Sequence, residues 1–355
     1  MENTLKIVIP MAGLGTRLRP HTWSKPKQLV SVAGKAVLDH VLDTLKTIPE
    51  GWNIELINIV GYLAEQIEEH MEENYPDVNS HYVTQDNPRG QSHAISLARD
   101  YLSGPLLVIF ADTLIETDLS FLKDETADAV AWVKQVDDPR RFGVAVVGEE
   151  GCVKKIIEKP EDLSNNLAVV GFYYFKGAED LLAAIEAQMQ RGLELKGEYY
   201  LADAVNILLE EGLRMRTEEV DVWLDAGTPE ALLETNHYLL ENGSGNSEEA
   251  ARRDRVVIIP PVFIHPSAEV INSIVGPYVS IGAGCRVESS ILRDSILEEE
   301  AQVKDVILES SLIGRKAEIQ RRAGMVNAGD QTVVTLCRTK SGSIPDTNMR
   351  SAPGY

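Results

Sequence analysis

Near residue 255 the sequence changes its period, and that change restricts the chain to folds that join two unlike parts. Beyond it Ile264, Val270, Val275, Ile281, Val287, Ile291/Ile296, Val303 and Ile307/Ile313 recur about every six residues, with small residues two to three places on. Segments such as Val279-Ser-Ile-Gly-Ala-Gly284 fit a hexapeptide-repeat β-helix, in which each short side of a triangular coil contributes one inward aliphatic. The expectation is a short left-handed β-helix over residues 255–338. A β-sandwich of short strands is the alternative.

Before the change, near-continuous apolar runs alternate with helically spaced stretches. Leu5–Pro10, Ile54–Val60, His81–Thr84 and Leu106–Phe110 read as strands. Helices are expected around Val37–Leu45, Leu63–Glu73 and Ser92–Tyr101. That alternation is the pattern of a parallel sheet covered on both faces. From Asp128 to Tyr174 four strand-like runs follow one another with few helical patterns between, which predicts a mixed or antiparallel extension. Helices return at Ala178–Gln190, Tyr200–Glu211 and Pro229–Glu241. Residues 1–241 thus form an α/β unit, 242–254 read as a polar linker, and 339–355 as a flexible tail.

A chain of 355 residues exceeds what one core usually organises. Its formal charge of −21 argues against a nucleic-acid binder or a protein held on anionic lipid. Cys152, Cys285 and Cys337 are odd in number and far apart, as in a reducing compartment. The first residues carry no basic, apolar leader, and no run is long enough to span a bilayer. A cytoplasmic protein is expected.

Within this acidic chain, residues 1–40 hold six Lys and Arg against two acids. They surround the loop Ala12-Gly-Leu-Gly-Thr-Arg-Leu-Arg-Pro20, which directly follows the first strand. Glycines there let backbone N–H groups approach a phosphate, and Arg17 and Lys27 add charge to the same lip. The loop lacks the third glycine of a dinucleotide fingerprint and the Gly-Lys-Ser/Thr of a Walker loop. A focused positive site suits a small polyanion; a loop of solvated charges is the plain alternative.

The segment Ala12–Thr22 followed by Lys25-Pro-Lys-Gln-Leu29 resembles the signature of the sugar-phosphate nucleotidylyltransferases. Gln85, Gly90-Gln-Ser-His-Ala94, Phe110-Ala-Asp112, Phe142-Gly143, Glu158-Lys-Pro160, Ala168-Val-Val-Gly171 and Trp223-Leu-Asp-Ala-Gly-Thr228 follow in the order that family shows, spanning about residues 5–240. The resemblance implies a Rossmann-like three-layer nucleotidyltransferase domain with a mixed, mostly parallel sheet. It further implies that a sugar 1-phosphate attacks the α-phosphorus of a nucleoside triphosphate and pyrophosphate leaves, chemistry that needs positioning and charge neutralisation.

By this resemblance Arg17, Lys27 and Lys159 would be catalytic. Ala12, Gly13, Leu14, Gly15, Thr16 and Arg17 would hold the triphosphate, with Gln85 and Gly90 facing the base. Gly143, Glu158, Lys159 and Gly171 would take the sugar phosphate. Asp112, at the carboxyl edge of an apolar strand, and Asp225 would hold Mg²⁺, which needs only one or two carboxylates when phosphates complete its shell. Either Asp alone also fits a turn or helix cap.

His21 and His93 read as packing or hydrogen-bonding residues, and the acidic run around Glu65–Glu73 as a solvated helix face. Tyr199, Tyr200 and Asp203 lie in a family-like segment without an assigned role. Gln28, Ser31 and Gln91-Ser-His depart from many relatives near the base, leaving the nucleotide open with a lean to dTTP or UTP; glucose 1-phosphate is the favoured sugar. Two other functions compete: a bifunctional enzyme with an acyltransferase β-helix, for which only His265 is at hand as base, and a non-catalytic regulatory subunit. No nucleic acid or membrane partner is expected, and the β-helix predicts a homo-oligomer.

Overall fold

The computed structural model describes residues 3–320, so the expected tail at 339–355 and the end of the repeat region after Gln320 lie outside the described residues. The centre of the first part is strand β1 (Asn3–Pro10), whose side chains alternate between two cores. Leu5, Ile7 and Ile9 enter one core and Val8 the other, all fully buried. Period-two alternation with both sets apolar is what a strand covered on both faces requires.

Strands β2 (Trp52–Val60), β3 (Asn79–Thr84) and β4 (Leu106–Ile109) continue the parallel sheet in the order β4–β1–β2–β3. After β5 (Thr113–Ile115), the strands β6 (Ala129–Gln135), β7 (Gly143–Val147), β8 (Val153–Glu158) and β9 (Leu167–Phe175) build the expected mixed extension. β9 runs antiparallel to β4, β6 and β7 and so turns the sheet from parallel to mixed. β10 (Met215–Glu219) adds to β6, and β11 (Trp223–Asp225) pairs with β5 in a separate ribbon.

Helices α1 (Val37–Thr44) and α2 (Ala64–Asn74) cover one face through Val37, Leu38, Val41, Ile67 and Met71. On the other face lie α3 (Gln91–Leu97), α4 (Ala178–Gln190) and α5 (Leu201–Glu210), whose Ile95, Leu181, Ile185 and Val205 are completely buried. The layers are helix, sheet, helix. Helix α6 (Pro229–Leu239) starts at Thr228, whose hydroxyl accepts from the Ala231 N–H, with Pro229 at its first position.

Residues 256–320 form short parallel strands stacked on one another. Val262 pairs with Val279 and Ile296 with Leu312, so each coil takes 17 or 16 residues and not three full hexads. Three such stacks run along the coils, and Ile264, Val275, Ile281, Val287, Leu292 and Val303 fill the inside. All pairs here are parallel, which is compatible with a β-helix; a β-sandwich needs antiparallel neighbours.

The stretch 242–254 is not a free tether. It holds a short helix, α7 (Ser247–Ala250), with Ala250 buried. The Asn246 carboxamide accepts from the Ile264 N–H at 2.8 Å and donates to the Ile264 carbonyl at 2.9 Å. Ser247 Oγ accepts the Val262 N–H. Polar side chains thus close an otherwise open strand edge, so the segment is ordered despite its composition.

The coils also dock on the α/β part. Ile296 belongs to the core that contains Leu5 and Val41. Asn236 of α6 donates to the Tyr278 carbonyl and accepts from the Ser280 hydroxyl.

Candidate active site

The glycine loop leaves β1 with both its start and its turn fixed by hydrogen bonds. Met11 N–H bonds the Ile59 carbonyl at 2.7 Å, fixing the loop's start. Gly15 then adopts a left-handed φ of +59°, and a Cβ there would lie 3.0 Å from Thr22 and 3.1 Å from Lys27 Cβ. A side chain there would be strained by the backbone conformation and would push Thr22 and Lys27 aside. The Gly15 carbonyl accepts from the Thr22 hydroxyl and the Leu18 N–H, and the turn Thr16–Leu18 follows. Gly13 has open space above it and Leu14 is exposed, so this stretch of backbone faces solvent.

Lys27 opens a second short turn, Lys27–Leu29, whose Gln28 is fully buried and donates to the Met11 carbonyl at 3.1 Å. That bond ties the lysine turn to the glycine loop. Lys27 Nζ in turn lies 2.6 Å from Asp112 Oδ2.

Asp112 sits between β4 and β5, and its carbonyl accepts the Ala226 N–H at 3.0 Å. Because β5 and β11 pair Thr113 with Asp225, the two aspartates lie side by side. Burial raises the Asp225 carboxyl above its ordinary range, and the charge of Asp112 adds to that. Burial opposes ionisation of Asp112 too, but Lys27 and Arg17 outweigh it and hold that carboxyl below the usual range. Gly227 completes the cluster. Its N–H donates to Asp225 Oδ1 at 2.8 Å, and a Cβ there would be 2.8 Å from an Arg17 guanidinium nitrogen. Arg17 and Lys27 thus bring two cations to two carboxylates.

From Asp112 a cleft of about 350 Å³ extends to a second charged group. Arg17, Asp112, Gly143, Glu158, Lys159, Gly171 and Asp225 all line it. Lys159 has φ +49°, unusual for a residue with a side chain, and its N–H is held by the Phe142 carbonyl. Its Nζ donates to Tyr200 Oη at 2.7 Å and lies 3.5 Å from Glu158 Oε1. Although burial works against the ammonium, the Tyr200 hydrogen bond and Glu158 raise its pKa. Glu158 is raised by burial despite Lys159 beside it.

Gly171 (φ +85°) sits in the irregular part of β9, where a Cβ would press on Phe110 at 2.8 Å, and its carbonyl accepts the Phe110 N–H. Gln85 and Gly90 lie outside the lining of this cleft. Gln85 is buried, with its amide 2.8 Å from His93 Nδ1, and Gly90 packs against the Tyr199 backbone. Residues 12–16 likewise border the cleft region through Arg17 rather than line it.

Residues 6–242 match the family model described as nucleotidyl transferase. The chain belongs to that family. The low-salt glycan biosynthesis nucleotidyltransferase of Haloferax volcanii is 31% identical, over 93% of this chain and 98% of the relative. A glucose-1-phosphate thymidylyltransferase of Streptomyces griseus is 30% identical, over 89% of this chain and 93% of its own length. The solved structure of UDP-glucose pyrophosphorylase with UDP-glucose shares the fold with a TM-score of 0.58 at 22% identity, over 68% of this chain and 100% of that one.

The residues of this nucleotidyltransferase fit a divalent cation in one respect. Two adjacent carboxylates repel each other at Asp112 and Asp225, and a cation between them would relieve that repulsion. Among the described residues no group of three or more His, Cys, Asp or Glu could enclose a metal alone. Two carboxylates are enough for a cation such as Mg²⁺ that takes most of its ligands from phosphates and water.

Several cleft residues had no assigned role in the sequence. Tyr200 bonds Lys159, and Trp223 packs edge-to-face on Phe142 at 4.7 Å to form one wall. Gln91 and Arg141 also line the cleft. All but Arg141 stood in quoted motifs, so proximity to those motifs was the available signal. Among the described residues no helix is long and apolar enough to cross a membrane.

Proposed function

We propose that this nucleotidyltransferase joins dTTP or UTP to a sugar 1-phosphate, glucose 1-phosphate being favoured, and releases pyrophosphate. The observation that carries the reading is the cleft itself: Arg17, Lys27, Asp112 and Asp225 gather at one end, and Glu158 and Lys159 at the other. Two anionic substrates that must react need charge neutralised at both ends of one cleft. The S. griseus relative bears the name of a glucose-1-phosphate thymidylyltransferase, which supports both that base and that sugar.

In this reading the backbone of residues 12–16 and Arg17 bind the triphosphate, Lys27 meets the phosphates near the reacting centre, and Gln85 and Gly90 border the base. Lys159 holds the sugar phosphate while Glu158 accepts from sugar hydroxyls beside Gly143 and Gly171. An oxygen of the sugar phosphate attacks the α-phosphorus in line. The bond from that phosphorus to the β-phosphate oxygen breaks, and pyrophosphate leaves with the electron pair. Asp112 and Asp225 would hold Mg²⁺, which when bound supplies charge neutralisation at the phosphates.

The coils are proposed to wind left-handed and to serve assembly with further copies of the chain. Val257, Ile274, Ile291 and Ile307 stack in register on one outer side, with Val257 57% and Ile307 73% exposed. A monomeric mass in solution would count against that. A cytoplasmic location fits the free thiols of Cys152 and Cys285.

The deciding experiment is pyrophosphate release with Mg²⁺ and glucose 1-phosphate, run with UTP, dTTP, GTP, ATP and CTP in parallel. Release with dTTP or UTP supports the reading. Silence with every nucleotide across a panel of sugar phosphates would sink it and favour a non-catalytic subunit.

A further inference from the structure

The loop that carries Lys27 is fastened on both sides to the coils at the other end of the chain. Lys25 Nζ lies 2.5 Å from Glu298 Oε2 and 2.7 Å from Glu299 Oε2. The Lys25 and Glu298 side chains are only 8% and 3% exposed. The other oxygen of Glu298 accepts the Ser31 N–H at 2.6 Å. One buried carboxylate therefore grips residues 25 and 31, and the turn Lys27–Leu29 hangs between them. Arg315 adds a third tie, donating to the Ser24 carbonyl at 2.8 Å.

The α/β part holds the ends of this stretch too, Gln66 donating to the Ser24 carbonyl at 3.1 Å and Ser31 pairing with Ala36. Lys27 Nζ has Asp112, and Gln28 anchors the far side of the turn to Met11, but the Lys25 ammonium is held by Glu298 and Glu299 of the coils, and Glu298 adds a second tie at Ser31. A buried carboxylate with a charged and a backbone donor is well placed to fix a loop's position, because releasing either donor leaves a desolvated group unpaired.

We infer that Glu298, with Lys25, is a positioning residue for Lys27, so that the coils are needed for turnover as well as for folding or assembly. The inference rests on the proposed pyrophosphate-releasing reaction. Displacing a group by about 1 Å at a reacting centre costs on the order of 10²-fold in rate.

The test compares full-length wild type with Glu298→Gln, the double variant Lys25→Met with Glu298→Gln, and Asp294→Asn. Asp294 joins the same two parts through His237, away from the Lys27 loop. The expected result is a kcat for Glu298→Gln lower by roughly 10- to 100-fold, with KM for both substrates within a few-fold of wild type. The double variant removes the Lys25–Glu298 pair and leaves the part-exposed Glu299 carboxylate without its lysine, so it should fold and turn over no faster than the single variant. Asp294→Asn should turn over as wild type.

Amide exchange at Leu29 and Val30 should rise in Glu298→Gln and stay unchanged in Asp294→Asn, a reading independent of catalysis and of how much protein is active. Wild-type kcat in Glu298→Gln, or an equal loss in Asp294→Asn, would overturn the inference. Absence of turnover in wild type would instead overturn the reaction itself.

Discussion

Lys27 Nζ lies 2.6 Å from Asp112 Oδ2, so the cation assigned to the phosphates and a carboxylate assigned to the metal neutralise each other in the free chain. Binding of nucleotide and metal would part them and give each an opposite charge of its own. Substitution Lys27→Met removes a preorganised cation at the reacting centre, and such losses cost about 10²–10³-fold in kcat. Pyrophosphate release should fall by that much while the melting temperature changes little, since Asp112 retains Arg17 nearby. A wild-type rate would remove Lys27 from the chemistry.

Metal removal tests the other half of the pair. Chelation with EDTA should abolish turnover, and added Mg²⁺ should restore it. Asp225→Asn keeps the shape and the Gly227 contact but removes one of two facing charges, so its Mg²⁺ titration should move to higher concentration. Full activity in EDTA-treated enzyme would dismiss the metal reading.

What the sequence disclosed followed the reach of its signals. Helix α4 occupies Ala178–Gln190 as expected, because Ala178, Leu181, Ala184 and Ile185 carry a clear apolar face. The six-residue rhythm marked the stacked coils, although turns shortened each to 16 or 17 residues. Glu298 was invisible: in Glu298-Glu-Glu300 it reads as part of a charged run, and its partners Lys25 and Ser31 lie 273 and 267 positions away. Asn246 hid in a linker-like stretch since its contacts are hydrogen bonds to a strand edge rather than apolar packing. In the cleft, motif order brought out Asp112, Glu158 and Lys159, whereas the Lys159–Tyr200 contact depends on how the chain before α5 approaches β8.

Glu158 should give the enzyme a pH signature. Burial raises its pKa above the ordinary carboxylate range, so it takes up a proton at pH values where a surface Glu stays ionised. Protonated, it loses acceptor capacity for sugar hydroxyls. KM for the sugar phosphate should therefore rise as pH falls through that raised pKa, and Glu158→Gln should flatten this limb. An unchanged pH profile in the variant would take Glu158 out of sugar recognition.

Gly90 precedes α3 with φ +94°, and a Cβ there would meet the Tyr199 backbone oxygen at 2.4 Å and nitrogen at 2.6 Å. Tyr199 N–H bonds the Arg89 carbonyl and Ser92 N–H bonds the Tyr199 carbonyl, so neither segment can yield alone. Overpacking against backbone at a left-handed position should cost about 3 kcal/mol. Urea denaturation of Gly90→Ala should show that loss. Wild-type stability would mean that the loop before α5 shifts freely, and with it the placement of Tyr200.

Lys159 and Tyr200 test whether the far end of the cleft holds the sugar phosphate. Lys159 Nζ sits 2.7 Å from Tyr200 Oη and 4.2 Å from the ring centroid, so the tyrosine orients the ammonium without neutralising it. A charge-assisted hydrogen bond contributes about 1.5–3 kcal/mol, which is roughly 10- to 150-fold in binding. Lys159→Ala should raise KM for the sugar phosphate by a factor in that range and leave KM for the nucleotide near its wild-type value. Tyr200→Phe keeps the ring and loses one hydrogen bond, so its effect should be smaller and fall on the same substrate. If Lys159→Ala instead weakened the nucleotide, the two ends of the cleft would have to exchange substrates.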